Sequence, residues 1–113
     1  MDFDPHLTSP SRLAIIASLL PGRPLTFTEL KAATELADGN LHVQARRLAE
    51  AGYVEIRKGA RGRRSLTHFR ITELGAESLK LHVRKLQSIL ASESGEVRIR
   101  TAASREDDSQ VWR

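Results

Sequence analysis

The sequence predicts a mainly α fold with one small β-hairpin (α+β), its elements ordered helix, helix, helix, strand, strand, helix. Three observations predict it. Apolar residues recur at helical spacing in four separate stretches, each bounded by capping or breaking residues. One stretch, residues 53–72, alternates instead with period two about a glycine-bearing middle. A cationic block covers the third helix and the hairpin together. Between Ala37 and Ile71 stand eight cations (Arg46, Arg47, Arg57, Lys58, Arg61, Arg63, Arg64, Arg70) and three anions (Asp38, Glu50, Glu55), a local +5 in a chain whose net charge is +4.

The first helix starts at Ser9-Pro10, where serine can cap and proline suits the first helical position. Leu13, Ile16, Leu19 and Leu20 then share a face, with Ala14 and Ala17 between them, and Pro21-Gly22 ends the run. Thr26 and Glu29 have capping-box spacing for a second helix, with Leu25 placed to staple against Leu30; it is expected to reach about Leu36. Asp38 is the expected cap of a third helix, whose Leu41, Ala45, Leu48 and Ala49 lie on one face and whose C′ residue is Gly52. Residues 53–58 and 67–72 alternate as two strands, leaving Gly59 and Gly62 in the intervening tip. Thr72 caps a last helix with Glu73 in its first turn, where the helix dipole favours an anion. That helix is expected to end near Ser92. Residues 95–113 are rich in Ser, Arg, Glu and Asp and are expected to be disordered, so the folded domain spans about 6–92.

The last helix carries more apolar surface than one small domain needs. Leu79, Val83, Leu86 and Leu90 are spaced four, three and four apart, with Ala76 three before and Leu81 and Ile89 widening the stripe. A heptad-like seam of this kind predicts pairing of two chains through residues 72–92.

With a helix, a helix, a third basic helix and a basic hairpin, the order is that of a winged helix-turn-helix. A helix fits the major groove of duplex DNA, and a cationic hairpin can grip the flanking backbone. Taking Leu41 as the centre of the buried face, 100° per residue turns Gly39, Val43, Arg46, Arg47 and Glu50 outward. The expected base contacts are Asn40, Val43 and Arg47, with His42 and Arg46 at bases or adjacent phosphates. Arginine offers a bidentate fork to guanine, asparagine to adenine, and valine an apolar face to a thymine methyl. Lys58, Arg61, Arg63 and Arg64 are the expected backbone or minor-groove contacts. Thr28, at the N-terminus of the second helix, joins them through free N–H groups, although Thr26 is the better cap. Gln44, on the flank, either contacts the backbone or packs between helices. Arg12, near the first helix start, pairs with a carboxylate or with a phosphate.

The residue groups His6-x-x-Ser9-Pro10-x-Arg12-Leu13-x-Ile15, Leu25-Thr26-Phe27-Thr28-Glu29-Leu30, Asp38-Gly39-Asn40-Leu41, Leu48-x-x-Ala51-Gly52-Tyr53-Val54 and Thr72-Glu73-x-Gly75 together resemble small winged-helix transcriptional regulators. The broad group includes the MarR-like and ArsR-like families, and the nearest likeness is to the stand-alone winged helix DNA-binding domain. The resemblance covers about residues 6–90. It implies a dimeric DNA-binding regulator acting on a palindromic operator. Regulators of this type often have leucine where Ala45 stands, which implies a recognition helix set slightly closer to the core.

Other functions find little support. Cysteine is absent, and His6, His42, His68 and His82 are scattered without an i,i+4 pair, so neither thiol chemistry nor a metal site has a framework. Gly59-x-x-Gly62 lacks the Lys-Ser/Thr of a phosphate loop, and no Gly-x-Ser-x-Gly elbow occurs. A non-enzyme without cofactor is expected; a dimer groove has room for a small effector, but no residue pattern indicates one. The longest apolar stretch, 13–20, is interrupted by Ser18 and too short to span a bilayer, and the first residues carry no signal-peptide pattern. A cytoplasmic protein without membrane contact is the reading. The rival functions are a winged helix used for protein–protein contact and one that binds RNA.

Overall fold

The capping residues set where the elements begin and end. The computed structural model describes residues 2–96, with the backbone alone for Arg61 and 93–96. Ser9 accepts a hydrogen bond from the Arg12 N–H and starts α1 (Pro10–Leu19), with Pro10 at its first position. Gly22 follows in the left-handed region at φ 90°. Thr26 and Glu29 close a reciprocal capping box at the head of α2 (Phe27–Thr34), which ends two residues short of the expected Leu36. Its last turn stops at Glu35, a non-glycine residue at φ 59°.

The cap of α3 (Asp38–Glu50) corrects the sequence reading. Ala37 is its N-cap, without a side-chain hydrogen bond. Asp38 is the first helical residue, and its carboxylate is drawn to Lys31 Nζ of α2 at 2.6 Å. The Lys31 hydrogen bond and charge hold the Asp38 carboxyl below the usual carboxylate range. A partner from the preceding helix has outcompeted the local backbone. At the other end Gly52 takes φ 85°, as expected of a C′ glycine.

Between α1 and α2 the chain makes a two-residue strand, β1 (Leu25–Thr26), which the hydropathy pattern does not announce. It pairs antiparallel with β3 (Arg64–Ile71), which also pairs with β2 (Val54–Arg61), giving a three-stranded sheet in the order β1-β3-β2. Both hairpin strands run further than expected, so only Gly62 and Arg63 lie between them, with Gly62 at φ 63°. Arg61 and Arg64 therefore sit on strands rather than in a loop, opposite each other, while Lys58 lies on β2 as expected, opposite Thr67.

One core joins these elements. Ile15, Ile16 and Leu19 of α1, Leu30 of α2, and Leu41, Ala45 and Leu48 of α3 meet Val54, Phe69 and Ile71 of the sheet. Leu7, ahead of α1, is fully buried in the same cluster. The segment before it is tied down on several sides. Tyr53 donates to the Asp4 carboxylate, His6 meets the Tyr53 ring edge-on at 5.4 Å, and Phe3 meets His82 in the same way at 5.8 Å. Burial, and then the hydrogen bond to Asp4, push the Tyr53 hydroxyl above its ordinary pKa.

The last helix, α4 (Glu73–Glu96), is capped by Thr72, whose hydroxyl accepts from the Gly75 N–H at 3.0 Å. It runs four residues past the expected Ser92. Leu79 requires a correction: it is 4% exposed within the core of its own chain and is not free to pair with another. Val83, Leu86 and Leu90 are 41%, 42% and 67% exposed. The tail expected to be disordered lies, from residue 97 on, outside the described residues.

Candidate nucleic-acid interface

The burial of Leu41, Ala45 and Leu48 fixes the rotation of α3 about its axis. Asn40, His42, Val43, Arg46, Arg47 and Glu50 are consequently all exposed, as the helical wheel requires. Val43 leaves 49% of its surface in water, an unusual allowance for a branched aliphatic residue. A shallow concavity runs over this face, lined by His42, Val43, Arg46, Arg47 and Glu50.

Two of these side chains are held from behind. The His42 imidazole stacks on the Phe27 ring at 4.3 Å and 20° between planes, and Phe27 in turn packs against Phe69 of the core. Asn40 accepts from Gln44 Nε2 through Oδ1 at 3.1 Å and donates through Nδ2 to Ser11 Oγ at 3.1 Å. Gln44 is half-buried, and its Oε1 accepts from Arg12 Nη1 at 2.8 Å. Of the two readings of Gln44, packing between helices is the one found. Arg12 pairs with no carboxylate among the described residues: besides Gln44 it donates to the His6 and Pro5 carbonyl oxygens at 2.9 and 3.2 Å. The Asn40–Gln44 pair was foreshadowed by its i,i+4 spacing, whereas nothing local in the sequence ties Arg12 or Phe27 to α3.

The cations divide into two groups. Arg70 pairs with Glu55 at 2.9 Å, Arg57 approaches the same carboxylate at 3.8 Å, and Lys31 is occupied by Asp38. Among the described residues no ion pair engages Arg46 or Arg47 on α3, or Lys58, Arg63 or Arg64 on the hairpin, and all five are exposed. The side chain of Arg61 lies outside what is described. At the head of α2 Thr26 does the capping, which leaves the exposed Thr28 in the first turn without that task. The box's hydrogen bonds, first that from the Thr26 N–H, lower the Glu29 pKa.

Residues 11–90 match the family model of the winged helix DNA-binding domain. The chain belongs to that family. This winged helix protein is 31% identical to the transcriptional regulator homologue protein from Pyrococcus horikoshii OT3, over 77% of this chain and 86% of that one, with a TM-score of 0.71. It is 28% identical to the transcriptional repressor BigR from Xylella fastidiosa, over 74% and 78% of the two chains, at a TM-score of 0.57. A mutant MarR from E. coli shares the fold at 20% identity, covering 81% of this chain and 71% of its own, with a TM-score of 0.65. No curated protein matches the chain. The winged helix protein is a DNA-binding transcriptional regulator, as its family is, and not an enzyme. Among the described residues no group of His, Cys, Asp and Glu is placed to hold a metal ion, and no helix is long and apolar enough to cross a membrane.

Proposed function

We propose that the chain regulates transcription as a homodimer that binds double-stranded DNA sequence-specifically, with α3 in the major groove and the β2–β3 wing on the backbone or minor groove. Asn40, Val43 and Arg47 read base edges, and His42 and Arg46 lie at bases or the phosphates beside them. Lys58, Arg61, Arg63 and Arg64 grip the backbone, with Thr28 at the α2 N-terminus. The observation that carries this reading is the division of the cations. On the outer sheet face Glu55 pairs with Arg70 and lies near Arg57, while among the described residues Arg46 and Arg47 of α3 and Lys58, Arg63 and Arg64 of the hairpin have no carboxylate partner and await an anion from outside. A surface built for a protein partner has no need of five such cations on two adjacent elements.

Fluorescence anisotropy on a duplex obtained by in vitro selection tests it. Arg47→Ala is expected to cost about 1–3 kcal/mol on the selected sequence and to relax specificity. Arg63→Ala is expected to weaken selected and random duplexes alike and to reduce the salt slope by about one. Equal losses on both duplexes for Arg47→Ala would remove it as a base reader. Preference for matched RNA over DNA would favour the RNA-binding alternative, and no salt-dependent binding to either would favour a protein partner.

The dimer rests on α4, where Val83, Leu86, Ile89 and Leu90 leave large apolar side chains in water. Two copies joined along this seam would present two recognition helices to a palindromic site about one DNA turn apart. Sedimentation at micromolar concentration is expected to find a dimer that Leu86→Glu dissociates; a monomeric wild type would exclude it.

A further inference from the structure

A single line of hydrogen bonds leads from α1 to the reading face of α3, and its direction is set at one end. Arginine carries donors only. Arg12 Nη1 must therefore meet the oxygen of the Gln44 amide, as it does at 2.8 Å. Gln44 is then left with its nitrogen toward Asn40, and Nε2 donates to Oδ1 at 3.1 Å. Asn40 in turn has its nitrogen toward α1, where Nδ2 donates to Ser11 Oγ at 3.1 Å. A hydroxyl donates or accepts with equal ease, so Ser11 would tolerate Asn40 either way round. Only the guanidinium breaks the tie.

We infer that Arg12 is a positioning residue for sequence readout: through Gln44 it fixes which end of the Asn40 amide points where, and so sets the base pair preferred by the N-terminal half of α3. This rests on the proposed role of α3 as the reading helix. An asparagine recognises adenine by presenting oxygen to the N6 amino group and nitrogen to N7. The relay uses one lone pair of Oδ1 and one hydrogen of Nδ2, leaving one of each for a base edge. Reversing the amide would present a donor where adenine has a donor, and an acceptor where it has an acceptor. Arg12 is itself held at three points, since Nε and Nη2 donate to the carbonyls of His6 and Pro5. Those carbonyls belong to the segment clamped by Tyr53, so the polarity of the relay is anchored to the body of the domain.

The test is in vitro selection from a random duplex library with the wild type, Asn40→Ala, Gln44→Leu and Arg12→Lys. It is followed by affinities for every single-base change in the selected site, with thermal melts for each variant. Asn40→Ala is expected to flatten the preference at one position per half-site by about tenfold. Gln44→Leu, which keeps the bulk but removes both amide groups, is expected to flatten the same position about as much. Preferences elsewhere in the site should remain. Arg12→Lys, which cannot span three acceptors, should do likewise. In an Asn40→Ala background Gln44→Leu should add no further loss at that position. If Arg12→Lys fails to fold, Gln44→Leu decides alone. Retained preference in Gln44→Leu, a uniform loss at every position, or no position flattened by Asn40→Ala would overturn the inference while leaving the reading by Arg47 standing. A wild type that selects no sequence would overturn the inference and the proposed function together.

Discussion

Gly75→Ala is expected to lower stability by about 3 kcal/mol in urea or thermal unfolding, with the sign opposite to that in an open helix. Alanine ordinarily stabilises a helix interior by about 1 kcal/mol over glycine. At Gly75 a Cβ would stand 2.2 Å from the Tyr53 carbonyl oxygen and 3.0 Å from both its carbon and Ile71 Cγ1. The offending atoms are chiefly backbone. The Tyr53 oxygen is moreover committed, accepting from the Thr72 N–H at 3.0 Å. Neither partner can swing aside, so the first turn of α4 must be pushed off the junction between α3 and β2. Overpacking a tight site costs about 1–3 kcal/mol when side chains can yield, and a backbone clash belongs at or above the top of that range. Unchanged or raised stability would mean that this junction is far softer than its geometry implies.

Phe69→Ala is expected to cost about 4 kcal/mol, within the usual range for emptying a large aromatic site. Phe69 is 2% exposed and stands at the centre of the sheet, opposite Leu25 of β1 and Ile56 of β2. The loss should reach beyond stability. Phe27 packs against Phe69 and also stacks with His42, so a cavity at Phe69 loosens the support of a residue on the proposed reading surface. At a temperature where the variant stays folded, affinity for the selected duplex should fall while the salt slope holds, because no cation has been removed. A changed slope with unchanged affinity would contradict the link.

The helices were legible in the sequence because their signals are local. Ser9-Pro10, the Thr26–Glu29 box, Gly52 and Thr72 each act within a few residues of themselves, and each does what its chemistry implies. What escaped depended on distant partners. Asp38 was a good cap on paper, but Lys31 of the neighbouring helix claimed its carboxylate. Two residues cannot display an alternation, so β1 had no period to read. Glycine, alanine and a run of arginines mimic a loop, yet the β2–β3 ladder continues through them to a two-residue turn. Leu79 belongs to a stripe that serves the core at one end and is exposed at the other, and heptad spacing does not mark the changeover. The outward face of α3 follows from its inward one, so the exposure of Val43, Arg46 and Arg47 is legible in the sequence. The supports behind Asn40 and His42, namely Arg12 and Phe27, are not.

The outer hairpin has a thermodynamic consequence. From Arg57↔His68 outward, five residue pairs hold the strands together, and none of their described side chains belongs to the buried core. Two strands without an apolar face are marginal in water. This part of the wing is thus a spring rather than a strut: in the proposed complex it would lend its charges to the DNA backbone, but each contact would first have to repay the freedom lost in holding still. If α3 and the wing bind DNA as proposed, the wing's grip should therefore vary with ionic strength and temperature more steeply than that of α3, so that the fixed helix would choose a sequence and the compliant ribbon would decide how long it is kept.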